Sequence, residues 1–116
     1  MVQERRRTPR VQAYHPVRLH RPGNPLIVET LTKDLALGGL RCLSHTVFPV
    51  SSEFDLELTL GATEAPLPLK GKAMWFRTIP QSEQFDLGIA FIELSPNIQR
   101  RLSAYLLNRM PQAVPA

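Results

Sequence analysis

The chain has 116 residues, 43% hydrophobic and 21% charged, which suits one compact domain and is too short for two ordinary ones. A single cysteine excludes an internal disulfide framework, and no apolar run approaches the roughly 20 residues of a membrane-spanning helix. The basic start is not followed by an apolar stretch, so we expect no secretory signal and a cytoplasmic, reduced protein.

The net charge of +4 is unevenly distributed along the chain. Residues 1–28 contain six arginines against Glu4 alone, a balance of +5, whereas the remaining residues sum to −1. Eleven of the fourteen basic residues are arginines, whose planar, permanently charged group suits phosphate, carboxylate and guanine edges. This asymmetry predicts an anionic partner for the N-terminal region.

Alternating apolar residues and turn signals divide most of the chain into six predicted strands. A turn with two prolines and a Gly-Asn pair separates the first two, and the segment 54–60 alternates strictly between apolar and polar residues. Pro68 suggests an edge position or a bulge near the start of the fifth strand. The predicted strands span residues 11–20, 26–34, 40–44, 54–60, 67–77 and 85–92.

One amphipathic helix follows the last strand. Ser95 can cap it, Pro96 fits its first turn, and apolar residues recur at helical spacing at Ile98, Leu102, Tyr105 and Leu106. Six short strands and one helix predict an all-β antiparallel barrel flanked by that helix, because closure removes exposed strand edges. We expect a flexible basic arm over 1–10, the barrel and helix over 11–108, and a frayed tail over 109–116.

The sequence has no pattern typical of catalysis or of a metal site. His15, His20, His45 and Cys42 are scattered without metal-ligand spacing, and neither a phosphate-binding loop nor a nucleophile elbow occurs. We therefore expect no enzyme, no metal and no cofactor. Cys42 is expected to be a small buried apolar residue.

Two short motifs remain. Arg6 and Arg10 lie four residues apart in a segment where Pro9 disfavours helix, so an extended arm would let their guanidinium groups converge on one ligand. The second motif is DLALGG over residues 34–39, placed between two predicted strands. Its carboxylate can accept hydrogen bonds from a nucleobase edge, and its glycines would let the backbone turn and a flat ligand approach closely.

In this order the two motifs resemble the signature of the PilZ family of bacterial cyclic di-GMP receptors, RxxxR followed by [D/N]xSxxG. Arg6 and Arg10 match the first part and Asp34 and Gly39 the second, whereas the serine of the signature falls at Ala36. The segments MWFR at 74–77, GIAF at 88–91 and 99–107 resemble the later strands and the closing helix of the family. The resemblance covers residues 4–108 and implies a six-stranded antiparallel PilZ-type β-barrel flanked by one α-helix.

The resemblance also implies the ligand and its contacts. Cyclic di-GMP, often an intercalated dimer in this family, would place its phosphates and guanine O6 and N7 on the two arginines and its guanine N1 and N2 donors on the aspartate. Trp75 either offers a stacking face to the ligand or is a core or barrel-wall aromatic, and Arg77 either contacts the ligand or is a rim charge. The implied ligand-binding residues are Arg6, Arg10, Asp34, Ala36, Gly38 and Gly39, with possible further contacts from Arg5, Arg7, Trp75 and Arg77.

Signalling is implied to run through another molecule. In the family the basic arm wraps over the barrel on binding and creates a surface for a protein partner, here unidentified, in motility, biofilm or virulence control. One alternative is an interaction adaptor that does not bind nucleotide, which Ala36 weakly favours. Nucleic-acid binding is disfavoured, because aromatic residues make up only 7% of the chain and most fall on the inward face of the pattern. Membrane insertion is not expected.

Overall fold

The computed structural model describes residues 10–61 and 64–109, which form seven strands and one helix. In chain order these are β1 (Arg10–Gln12), β2 (Pro16–His20), β3 (Ile27–Ala36), β4 (Gly39–Ser44), β5 (Glu53–Leu58), β6 (Leu67–Thr78), β7 (Phe85–Ile92) and α1 (Pro96–Arg109).

Strands β2 to β7 form a closed antiparallel ring in the order β2, β3, β4, β7, β6, β5, and β5 pairs with β2 to complete it. Strand β1 pairs with the second half of β3, in line with β2, which pairs with the first half. The predicted six-stranded antiparallel barrel with one C-terminal helix is therefore confirmed. Closure leaves each ring strand hydrogen-bonded on both sides.

The core lies inside this ring and follows from strand alternation. In β5, Phe54, Leu56 and Leu58 point inward and are almost fully buried, whereas the intervening acidic residues point outward. Phe48, in the loop before β5, stacks on Phe54 with ring centroids 4.8 Å apart. Cys42 is fully buried, as expected for a small apolar residue.

Helix α1 packs its apolar face against the barrel beside β1 and β6. It begins as predicted, because the Ser95 hydroxyl accepts a hydrogen bond from the Ile98 amide at 3.2 Å and Pro96 occupies the first position. Leu102 and Leu106 are buried along the same face. In the part of the chain that the structure describes, no helix is long and apolar enough to cross a membrane.

The N-terminal strand predicted over 11–20 is interrupted at residues 13–15. There the backbone of His15 turns to Thr32: its amide donates to the Thr32 hydroxyl at 2.9 Å, and its carbonyl accepts from the Thr32 amide at 2.8 Å. The His15 ring also meets Tyr105 of α1 edge-on and hydrogen-bonds its hydroxyl, which ties the junction to the helix. These tertiary contacts override the weak alternation of the segment.

Of the two forms of the prediction for Pro68, the edge position holds locally and the bulge near the start of the strand is wrong. Pro68 lies in a ring strand opposite Glu57 of β5, and the irregularity of β6 falls between Ala73 and Trp75, far from its start. A proline fits here because pairing between β6 and β7 begins only at Lys70, so no ladder bond to β7 is lost at Pro68.

Candidate functional site

Four strands bring their residues into one row across the outside of the barrel. Asp34 of β3 lies opposite Arg41 of β4, Arg41 opposite Gly88 of β7, and Gly88 opposite Trp75 of β6. Residues directly opposite one another in a sheet project from the same face, so the aspartate, arginine and tryptophan share a surface. Gln12 of β1 extends the row beyond Asp34.

A second row runs beside the first and consists mainly of small residues. Ala36 of β3 lies opposite Gly39 of β4, Gly39 opposite Ala90 of β7, and Ala90 opposite Lys72 of β6. The backbone of Arg10 in β1 pairs with Ala36 at the other end. Because the residues in the middle of the row have small side chains or none, this part of the outer surface protrudes little.

The two rows border a cavity of about 530 Å³. Asp34, Arg41 and Trp75 contribute the polar and aromatic walls, and the turn between β3 and β4 closes one end. Its other lining residues are Gly38, Gly39, Leu40, Met74, Gly88, Ile89 and Ala90. A concave surface with a few converging polar groups is typical of a small-molecule site.

The predicted loop over residues 34–39 proves to be mostly strand. Strand β3 continues to Ala36 and β4 starts at Gly39, which leaves only Leu37 and Gly38 in the turn. Glycine is required at Gly39, because a Cβ there would lie 2.2 Å from the Ile89 carbonyl oxygen, whereas a Cβ on Gly38 would meet open space. The chain thus turns sharply at Leu37 and Gly38, whereas Gly39 allows close packing between strands.

Trp75 is a wall of the cavity. Its indole lies over the backbone of Gly88, where a Cβ would come within 2.3 Å of the ring, and the Arg77 guanidinium sits 5.7 Å from the ring centroid. With 41% of its surface exposed, the indole offers an aromatic surface that the core does not use. The indole therefore faces the cavity and is not part of the barrel core.

Asp34 is 7% exposed and forms an ion pair with Arg41, whose Nε lies 3.0 Å from Oδ2 of the carboxylate. The Nε atom is fully buried, yet its N–H is not aligned on the oxygen, so the contact is an ion pair rather than a well-formed hydrogen bond. Arg41 is thus a cavity residue that the sequence motifs do not include.

A second buried carboxylate, that of Asp86 in β7, contacts two cationic side chains beside the cavity. It accepts hydrogen bonds from Lys33 Nζ at 3.0 Å and from Arg77 Nη2 at 3.4 Å. Burial acts to raise the pKa of Asp86, but the hydrogen bonds and charges of Lys33, Arg77 and Arg41 outweigh it and hold the pKa below its ordinary value. Burial, followed by the charge of Asp86, raises the pKa of the Cys42 thiol to about 12, so this thiol stays protonated.

The structure therefore brings some of the predicted site residues together around the cavity. Asp34, Gly38, Gly39 and Trp75 line the cavity, Ala36 lies buried in the adjoining row, and Arg77 contacts Trp75 and Asp86 without lining the cavity. Arg5, Arg6 and Arg7 lie outside the described residues. Within the described ranges, no group of three or more His, Cys, Asp or Glu side chains is placed to hold a metal ion.

Comparison with protein families gives a match to the PilZ domain over residues 4–108. The chain belongs to the PilZ domain family. The family resemblance of the two motifs is thus confirmed, over the same range in which it was recognised. No curated protein matches the sequence.

Solved PilZ structures share the fold at low sequence identity. The PilZ domain of Escherichia coli YcgR with c-di-GMP is 19% identical with a TM-score of 0.73, covering 91% of this chain and 92% of that one. Bacillus subtilis MotI, an inhibitor of motility, is 19% identical with a TM-score of 0.79, and the match covers 92% of this chain and 51% of that one. K. pneumonia MrkH in its complex with c-di-GMP is 22% identical with a TM-score of 0.76, and the match covers 92% of this chain and 53% of that one. This PilZ chain spans about half the length of the MotI and MrkH chains.

Substitution of Gly88 tests the wall formed by Trp75. In Gly88→Ala the added methyl would overlap the indole, so we expect the ring to move and the protein to lose about 1–3 kcal/mol of stability. Since Trp75 is the single tryptophan, its emission spectrum reports this movement directly. Gly38→Ala is the matched control, because its methyl meets open space. Unchanged emission in Gly88→Ala would contradict the packing described.

Asp86→Asn tests the buried charge cluster. Because Lys33 and Arg77 are partly solvated, we expect a loss of about 1–3 kcal/mol in the free energy of unfolding at neutral pH. The pKa of Asp86 is lowered on folding, so its contribution is fully present above about pH 4 and disappears as the pH falls through the folded pKa. In denaturant titrations, the difference between wild type and variant should shrink in acid; a difference independent of pH would contradict the assignment.

Proposed function

We propose that this PilZ domain is a non-enzymatic receptor for cyclic di-GMP. The observation that carries the proposal is the pairing of Arg10 with Ala36, together with that of Gln12 with Asp34. It sets strand β1, at whose first residue the RxxxR motif ends, beside the strand that holds Asp34, which supports one shared site for the two motifs. Family membership and the c-di-GMP complexes of YcgR and MrkH support the same ligand.

The described residues suit the guanine bases. The Asp34 carboxylate at the cavity wall would accept hydrogen bonds from the N1 and N2 donors of guanine, a pairing that adenine cannot offer. The exposed indole of Trp75, on the same face, would stack on a purine ring. Because Ala36, Gly39 and Ala90 have small side chains or none, a flat ligand could lie close to the sheet there.

The arginines of the N-terminal motif would bind the phosphates. Arg6 and Arg10 would contact phosphate oxygens or guanine O6 and N7, and Arg5 and Arg7 would add charge at the same place. Binding would draw residues 1–10 over the cavity and thereby present a new surface to a protein partner. Control of motility, biofilm formation or virulence would follow from that contact.

A nucleotide-free adaptor is the second candidate, favoured by one observation. Ala36 stands where the family signature has serine and is buried in the row next to the cavity, so a hydroxyl that would bind the ligand is missing. A neutral hydrogen bond contributes about 0.5–1.5 kcal/mol, or roughly two- to tenfold in affinity, which weakens binding without removing it.

Calorimetry with cyclic di-GMP decides between the two candidates. We expect saturable heat at ligand concentrations of tens of micromolar, with quenching of Trp75 emission and a stoichiometry that separates one bound ligand from an intercalated dimer. Arg6→Ala and Arg10→Ala should each weaken binding about tenfold or more, because charge-assisted contacts are lost. Arg100→Ala, on the exposed side of α1, is the control. No heat with folded wild type would refute the receptor.

Ala36→Ser restores the hydroxyl of the family signature. We expect binding that is equal to wild type or up to about tenfold tighter, because the residue is small and adds a single neutral hydrogen bond. Calorimetry of the two proteins under identical conditions measures the ratio. A marked loss of affinity would mean that the strand around Ala36 does not lie against the ligand.

A further inference from the structure

The indole of Trp75 receives little lateral support from its neighbours in the sheet. Trp75 of β6 lies opposite Gly88 of β7, and the ring lies over the Gly88 backbone, where a Cβ would come within 2.3 Å of it. Met74 and Phe76, on either side of Trp75 in the chain, are themselves exposed, and the pairing of β6 is irregular between Ala73 and Trp75. Gly88 therefore supports the ring from below, but it has no side chain that could fix the orientation of the ring.

Arg77 makes the lateral contact that β7 does not provide. It lies two residues after Trp75 on the same strand, and residues at this spacing project from the same face of a sheet. Its guanidinium carbon is 5.7 Å from the centroid of the indole, within the range of a cation–π contact. Trp75 lines the cavity and Arg77 does not. The guanidinium thus meets the ring from outside the cavity and leaves the cavity-facing surface of the indole uncovered.

Asp86 anchors Arg77. It lies directly opposite Arg77 in β7, and its Oδ2 accepts a hydrogen bond from Arg77 Nη2 at 3.4 Å. Burial opposes ionisation, but the hydrogen bonds and charges of the surrounding cations hold the pKa of Asp86 below its ordinary value, so the carboxylate is charged at neutral pH. The Arg77 side chain is itself 66% exposed. Without this anchor, a long and solvated side chain would have many rotamers open to it.

We propose that Arg77 is a positioning residue, anchored by Asp86, that holds the Trp75 indole toward the cavity for stacking on a guanine base. This role rests on the proposed function. A planar guanidinium suits it, because it can stack on an aromatic ring and hydrogen-bond a carboxylate at the same time. A ring that is oriented before the ligand arrives does not have to be ordered on binding, so the contact from Arg77 increases affinity without touching the ligand.

Lys33 provides a matched control, because it is the second cation that hydrogen-bonds Asp86. It lies on β3, which β4 and β7 separate from the strand of Trp75, and it does not line the cavity. Arg77→Gln and Lys33→Gln each remove one positive charge from Asp86, but only Arg77→Gln removes a contact with the indole. Any effect that comes merely from weakening the charge cluster should therefore appear in both variants.

The first measurement is acrylamide quenching of the single tryptophan in the ligand-free protein. We expect the quenching constant to rise in Arg77→Gln, because one side of the ring is uncovered, and to stay at the wild-type value in Lys33→Gln. Arg77→Lys should lie between, since it keeps a cation but not the planar group. Circular dichroism and thermal unfolding establish that each variant is folded.

The second measurement is calorimetry with cyclic di-GMP in two backgrounds. We expect Arg77→Gln to weaken binding about two- to tenfold when Trp75 is present, and Lys33→Gln to leave it nearly unchanged. In a Trp75→Leu background, Arg77→Gln should have little further effect, because the residue through which it acts is gone. If Trp75→Leu binds too weakly to titrate, the quenching data decide alone.

Three results would overturn the role of Arg77 and spare the receptor. Unchanged quenching in Arg77→Gln would show that the ring needs no support from it, and equal changes in Lys33→Gln would assign the effect to the charge cluster as a whole. The same loss of affinity with and without Trp75 would show that Arg77 binds the ligand directly. If wild type gives no heat with cyclic di-GMP, the proposed function is wrong, and the quenching data still show whether Arg77 holds the ring.

Discussion

The register of four paired strands, β3, β4, β7 and β6, is the constraint on which the site depends. Leu35, Leu40 and Ile89 point into the core from the same strands whose neighbouring residues face the cavity. A slip of one residue in any of these strands would turn its core residues outward and its site residues inward. Burial of ordinary apolar side chains therefore places Asp34, Arg41 and Trp75 on one surface, and ring closure leaves no edge at which the register can drift.

The shape of the site comes from residues that contribute little or no side chain. Gly88 makes room for the indole of Trp75 to lie flat across β7, and Gly39 lets β4 approach the backbone of Ile89. Ala36 and Ala90, which lie opposite Gly39, also have small side chains that protrude little from the sheet. A barrel is convex on its outside, so a cavity there arises where small residues stand between larger ones. The glycines thus act through packing between strands more than through turn geometry.

Local pattern was enough to predict most of the fold, whereas the charged part of the site depended on distant pairing. Strict alternation identified β5 and helical spacing identified α1, because each is encoded by neighbouring residues. Arg41 and Asp86 stood at outward positions of their strands and were indistinguishable from solvated charges, since their partners lie on other strands. The break at 13–15 was missed for the same reason: it depends on Thr32 and Tyr105, which no local pattern places there.

The distribution of charge around the cavity supports a role for both motifs in the proposed receptor. Around the cavity, Asp34 pairs with Arg41, and Asp86 pairs with Lys33 and Arg77, so much of the positive charge of the barrel wall is already matched by buried carboxylates. The excess of +5 lies in residues 1–28, ahead of and within the first strands. A dinucleotide with two phosphates would therefore take its charge compensation chiefly from the N-terminal arginines, and the barrel would supply shape, an aromatic surface and a carboxylate. In the proposed receptor, base recognition and phosphate recognition would reside in different parts of the chain, and the pairing of β1 with β3 would bring them together.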